Sequence, residues 1–151
     1  MEISRRAVLL AAAVAPVGVV TACGGDDSGP PPPEDLDQQA RESAAQSELE
    51  LIAAYRAAAA SNPGRAVELE FLASQHEQHL SALYPNGDGP VPASPVGQAP
   101  GLSALRKLEQ AAAKQRTSAA VSAADVALIA TLARIAASES GHAAFLARTG
   151  A

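Results

Sequence analysis

The chain has 151 residues, a formal net charge of -5, and 48% apolar residues of which few are aromatic and many are alanine. Helix formers in long runs, with almost no β-branched or aromatic clusters, predict an all-α fold rather than a sheet. An acidic balance without clustered Lys and Arg excludes nucleic acid as a partner, and the single cysteine, Cys23, excludes an internal disulfide.

Residues 1–22 are expected to be an export signal: Arg5 and Arg6, then an apolar run over residues 7–20, then Val20-Thr21-Ala22-Cys23. The run is shorter than the roughly 20 residues that a membrane span needs. Its ending resembles a bacterial lipobox, which implies a diacylglycerol on Cys23 and makes that residue the mature N-terminus. Ser4-Arg5-Arg6-Ala7-Val8-Leu9 also resembles a twin-arginine signal. It departs from that pattern at Val8, where phenylalanine is preferred, and at Leu10, where lysine is common. The alternative is a general signal whose positive region is Arg5 and Arg6. Residues 23–35 form the expected lipid-anchored linker, with Gly24-Gly25-Asp26-Asp27-Ser28 as a hydrophilic start and the four prolines Pro30 to Pro33 as a stiff spacer. Residues 1–22 carry a net +1, so the mature chain stands at about -6. Anionic lipid repels such a domain, which leaves the acyl chain to hold it on the membrane.

Four helices follow. The first is predicted over residues 36–60, ending at the turn signal Ser61-Asn62-Pro63-Gly64, with Glu48, Ile52, Tyr55 and Ala59 along its buried stripe. The second runs from about residue 65 to Tyr84-Pro85, with the seam Leu69, Leu72, His76, His79, Leu83. Residues 85–101 hold five prolines and four glycines, a coil that reaches some 50 Å at roughly 3.1 Å per residue. The third helix covers about residues 102–117, with Leu102, Leu105, Glu109 and Ala112 on one face and Leu108 beside it. The fourth begins after Ser122, whose hydroxyl is expected to cap it, and carries the seam Asp125, Leu128, Leu132, Ile135, Glu139, His142, Leu146. Short, long and short connections favour two hairpins joined by a crossover; an up-and-down bundle with one slack loop is the alternative.

All three histidines, His76, His79 and His142, fall on predicted seams, together with Glu48, Glu109 and Glu139. A buried carboxylate or imidazole costs several kcal/mol unless it is paired or binds a cation. Each helix therefore offers a metal-competent side chain to the centre.

In this pattern residues 36–149 resemble a ferritin-like domain, an antiparallel four-helix bundle with a long crossover between helices 2 and 3. Its di-iron members take one Glu from each of two helices and a Glu-x-x-His pair from each of the other two. Glu48-Leu49 with Tyr55 seven residues on resembles the first-helix pattern, Glu109 the lone third-helix carboxylate, and Glu139 with His142 the fourth-helix pair. The second helix departs, because His76-Glu77-Gln78-His79 puts a histidine where the resemblance calls for a bridging carboxylate. Three Glu with three His are softer and less charged than the usual di-iron set and suit zinc or copper at least as well as iron.

The sequence thus predicts an exported lipoprotein, anchored through Cys23 on the outer face of the cytoplasmic membrane in the cell envelope. Its ferritin-like domain would hold Fe, Zn or Cu between Glu48, His76, His79, Glu109, Glu139 and His142. Two alternatives stay open: a non-catalytic envelope or interaction module in which these residues form a metal-free polar core, and a di-metal redox enzyme. Glu50, Glu68, Glu70 and Glu77 are expected on a solvated face. No phosphate-binding glycine loop and no Gly-x-Ser-x-Gly elbow occurs.

Overall fold

A computed structural model describes residues 33–92 and 98–149, and it is all-α. The expected export signal with Arg5 and Arg6, the expected lipidation site Cys23 and the expected linker as far as residue 32 lie outside the described residues. Four helices make up the bundle: α1 (Pro33–Ser61), α2 (Ala66–Leu83), α3 (Leu102–Ser122) and α4 (Val126–Thr149). A 3-10 turn, Pro63–Arg65, joins α1 to α2 at the expected turn signal. Among the described residues no helix is long and apolar enough to cross a membrane.

Three boundaries differ from the sequence reading. Helix α1 begins at Pro33, so it takes in the last residues of the expected spacer; proline in a first turn gives up no helical hydrogen bond. Helix α3 continues past residue 117 to Ser122, because an alanine-rich stretch with neither glycine nor proline offers nothing to stop it. Ser122 is consequently inside α3, its hydroxyl donating to the Ser118 carbonyl at 3.3 Å rather than capping α4. The cap is Asp125, whose Oδ1 accepts the Ala127 N–H at 2.8 Å, so Asp125 is exposed and not part of the packing seam. Asp37 of α1 fixes this turn from outside, accepting the N–H groups of Ala124 and Asp125 at 2.8 Å each.

Helix α1 packs on α2 and α3, and α4 packs on α3 and α2, which leaves α1 facing α4 and α2 facing α3 across the core. Arg41 meets Leu83, and Glu48 meets His76, between α1 and α2. Ser43 meets Gln115, and Tyr55 meets Glu109, between α1 and α3. Gln75 meets His142 between α2 and α4, and Arg65 of the 3-10 turn meets Thr149 at the end of α4.

The apolar core lies in two clusters. One contains Leu51, Ala58, Leu69, Leu72, Leu105 and Leu146; the other contains Ala44, Ile52, Leu80, Leu83, Leu128, Leu132 and Ile135. Of the polar residues predicted on the seams, Glu48, His76, Glu109, Glu139 and His142 are buried. Of the acidic residues expected outside, Glu50, Glu68 and Glu70 are exposed, and Glu77 is half-buried in an ion pair with Arg56.

Gly141 lies on the exposed side of α4, and a Cβ added there meets no atom within 4 Å. No close helix contact requires a glycine. Gly141→Ala should therefore stabilise the protein by about 0.5–1 kcal/mol, read as a rise of roughly 3–6 °C in Tm. A fall in Tm would show that the backbone needs the glycine.

Candidate metal centre

Helical spacing gathers the polar side chains. Helix α1 contributes Glu48 and Tyr55, α2 contributes His76 and His79, α3 contributes Glu109 and Arg116, and α4 contributes Glu139 and His142, each pair separated by three or seven residues and so on one side of its helix. Glu48, Tyr55, His76, Glu109, Arg116 and Glu139 are all 0% exposed and His142 is 6% exposed. Only His79 stands at the edge, its side chain 13% exposed.

His76 is the centre of the network. Its Nδ1 faces Glu48 Oε2 at 2.8 Å and its Nε2 faces Glu109 Oε1 at 3.0 Å. The same Glu109 oxygen accepts the Tyr55 hydroxyl at 2.5 Å and faces His142 Nδ1 at 3.1 Å. The other ring nitrogen of His142 stands 2.5 Å from Gln75 Oε1. His79 Nδ1 approaches Glu48 Oε2 at 3.4 Å. On the far side of Glu48, Arg116 Nη2 donates to Glu48 Oε1 at 3.1 Å and lies 3.5 Å from Glu139 Oε1.

The electrostatics follow from these contacts. Burial alone pulls an imidazole pKa down, but the hydrogen bonds to Glu109 and Glu48, and their charges, lift His76 to about 9. Burial alone raises a carboxylate, yet the hydrogen bond from His76 and the close approach of His79, with the charges of His76 and Arg116, bring Glu48 down to about 2. Glu109 likewise falls to about 2 against its burial, through His142 and His76. Glu139 has no such donor. Burial carries it up to about 8 despite the nearby Arg116 charge, with the Glu48 and Glu109 charges adding to the rise. Burial, then the Glu109 charge, pushes the Tyr55 phenol upward as well. At neutral pH the carboxylates of Glu48 and Glu109 are thus balanced by His76 and Arg116.

Two overlapping groups bring ligand atoms within 4.8 Å of one another: Glu48, His76 and His79, and His76, Glu109 and His142. The second fits a metal better. Ligands at about 2.0–2.1 Å around a tetrahedral ion stand ~3.3 Å apart, close to the 3.0 Å and 3.1 Å from Glu109 Oε1 to the two histidine nitrogens. A metal-bound histidine needs its other N–H held by an acceptor. Glu48 serves His76 in this way, and Gln75 serves His142. Three groups crowd Glu109 Oε1 while its buried Oε2 has no partner. Two imidazoles and a carboxylate suit zinc, copper or iron.

The six sequence-predicted residues are therefore neighbours in one buried layer, but they do not form one shell. Glu139 belongs to neither group, and both of its oxygens lack a hydrogen-bond partner. The sequence reading missed two participants. Arg116 continues the stripe Leu105, Glu109, Ala112 by one further turn, and Gln75 stands one turn before His79. Compared with protein-family models, curated proteins and solved structures, the chain matches none of them.

Proposed function

We propose that this is an exported lipoprotein, anchored through Cys23 on the outer face of the cytoplasmic membrane, whose antiparallel, ferritin-like domain binds one transition-metal ion between His76, Glu109 and His142. The observation that carries the metal reading is the convergence of His76 Nε2 and His142 Nδ1 on one oxygen of Glu109, with the outer nitrogen of each ring already held by an acceptor. The ferritin-like reading is supported by helix neighbours. An up-and-down bundle would place α1 beside α4 and α2 beside α3, whereas these pairs lie across the core and the long connection joins α2 to α3. In the pairs α1–α2, α1–α3 and α3–α4 the meeting residues rise in number along one helix as they fall along the other, which supports antiparallel packing. The anchor rests on the lipobox resemblance and the acidic domain.

A bound ion would supply a Lewis acid or a redox centre at this place. The chain's own residues hold its ligands: Glu48 and Gln75 orient the two rings, the Tyr55 hydroxyl fixes Glu109, and the apolar clusters keep water out.

A second reading, a metal-free polar core, draws on Arg116 and His76, whose charges offset Glu48 and Glu109 without any ion. One preparation separates the two. Protein expressed with its full signal and extracted from membranes by detergent, without chelator, is expected to hold about one equivalent of transition metal, or to gain it on adding Zn(II). Less than about a tenth of an equivalent after reconstitution would favour the metal-free core, and protein found only in the soluble fraction would remove the anchor.

A further inference from the structure

We propose that Arg116 is a built-in cation that closes a second metal position, the one framed by Glu48, Glu139 and the Ala44 carbonyl. Three oxygens from the facing helices α1 and α4 surround a single atom, Arg116 Nη2: the Ala44 carbonyl at 3.1 Å, Glu48 Oε1 at 3.1 Å and Glu139 Oε1 at 3.5 Å. The guanidinium is a poor partner for them. A well-matched Arg–carboxylate pair is a fork of two parallel bonds at about 2.7–2.9 Å, whereas here Glu48 receives one longer bond and Glu139 receives none. Both Glu139 oxygens and Arg116 Nε are buried without any hydrogen-bond partner, although buried polar groups are almost always satisfied. Oxygens grouped around a point suit a spherical cation better than a planar fork.

The donor set defines the class of ion. Carboxylate and carbonyl oxygens without nitrogen suit a hard divalent cation such as Mn(II), in contrast to the imidazole-rich trio of His76, Glu109 and His142. Glu48 joins the two positions, one oxygen holding the His76 ring and the other holding Arg116. Such an ion would draw the oxygens in by about 1 Å from their present distances, which the bulk of the guanidinium prevents. With Arg116 in place the centre accepts one metal at most, and two-metal chemistry is closed to it. The inference relies on the proposed one-ion site only for the wild-type count of one.

The test compares the wild-type protein with Arg116→Met and Arg116→Lys. Each is first given about one equivalent of Zn(II) and then titrated with Mn(II), with free Mn(II) followed by its six-line electron paramagnetic resonance signal. The wild type and Arg116→Lys are expected to take up no Mn(II), and Arg116→Met about one equivalent. Arg116→Met binding no more Mn(II) than wild type, or wild type itself binding Mn(II) beside zinc, overturns the proposal. If Arg116→Met is unfolded without metal, Mn(II) should restore its helical circular dichroism; failure to do so also overturns the proposal. A wild type that holds no zinc, beside an Arg116→Met variant that gains Mn(II), would reject the one-ion site and leave the role of Arg116 standing.

Discussion

Glu109→Leu is expected to abolish zinc uptake and to destabilise the metal-free protein by about 3–5 kcal/mol, seen as a Tm lower by roughly 15 °C. One oxygen of this side chain receives the Tyr55 hydroxyl and faces nitrogens of both His76 and His142. Removing it leaves a charged His76 and a phenol at 0% exposure with a shared acceptor gone, and an uncompensated buried charge is among the costliest defects a core can carry. Glu109→Gln separates the two effects. It keeps an acceptor oxygen and the shape of the side chain, so its stability should drop by only about 1 kcal/mol, while zinc affinity falls about 100-fold or more with the loss of the negative ligand. His79→Ala is the control for the other group of ligands and should leave zinc binding near the wild-type level. If His79→Ala instead loses the metal and Glu109→Gln keeps it, the ion sits between Glu48, His76 and His79.

The helical faces were legible because period and burial agree. Glu48, Ile52, Tyr55 and Ala59 on α1, and Leu128, Leu132, Ile135, Glu139 and His142 on α4, are all buried as their spacing predicts. An Ala-rich sequence gives weaker signals where a helix ends, since alanine neither caps nor breaks; the end of α3 and the cap of α4 depend on Asp37, which is distant in sequence and close only in the fold. Leu108, beside the predicted face of α3, is 44% exposed, so that stripe is narrower than its apolar residues suggest. Arg116 was hidden for a different reason. An arginine on a helix is ordinarily read as solvated, and only the three-dimensional meeting of Glu48 and Glu139 supplies the charges that allow it to be buried. His79, on the same predicted seam as His76, is displaced to the edge because i and i+3 differ by about 60° around the helix, enough to move the ring from the core to its border.

The stability that zinc adds should grow with pH as the metal-free protein loses its own. In the metal-free protein His76 is raised from 6.5 to about 9 and Glu139 from 4.5 to about 8. A raised folded-state pKa gives stability that is complete below the unfolded value and is lost as pH rises through the folded value. Stability from Glu139 therefore fades between pH 4.5 and about 8, and that from His76 between 6.5 and about 9. Glu48 and Glu109 act in the other sense, since both are lowered from 4.5 to about 2, and their contribution is lost only as pH falls through that interval. The metal-free Tm should accordingly peak in mild acid and decline toward pH 9, with a loss of stability on the order of 3 kcal/mol from His76 alone. Zinc must displace the proton on His76 Nε2, so its affinity rises about tenfold per pH unit until that proton is gone. The difference between zinc-loaded and metal-free Tm should thus be small near pH 5 and widest near pH 8.5 to 9, measured by thermal denaturation at fixed free Zn(II). A difference that stays constant across this range would place the ion away from His76, and a metal-free Tm that climbs toward pH 9 would contradict the charged His76 between Glu48 and Glu109.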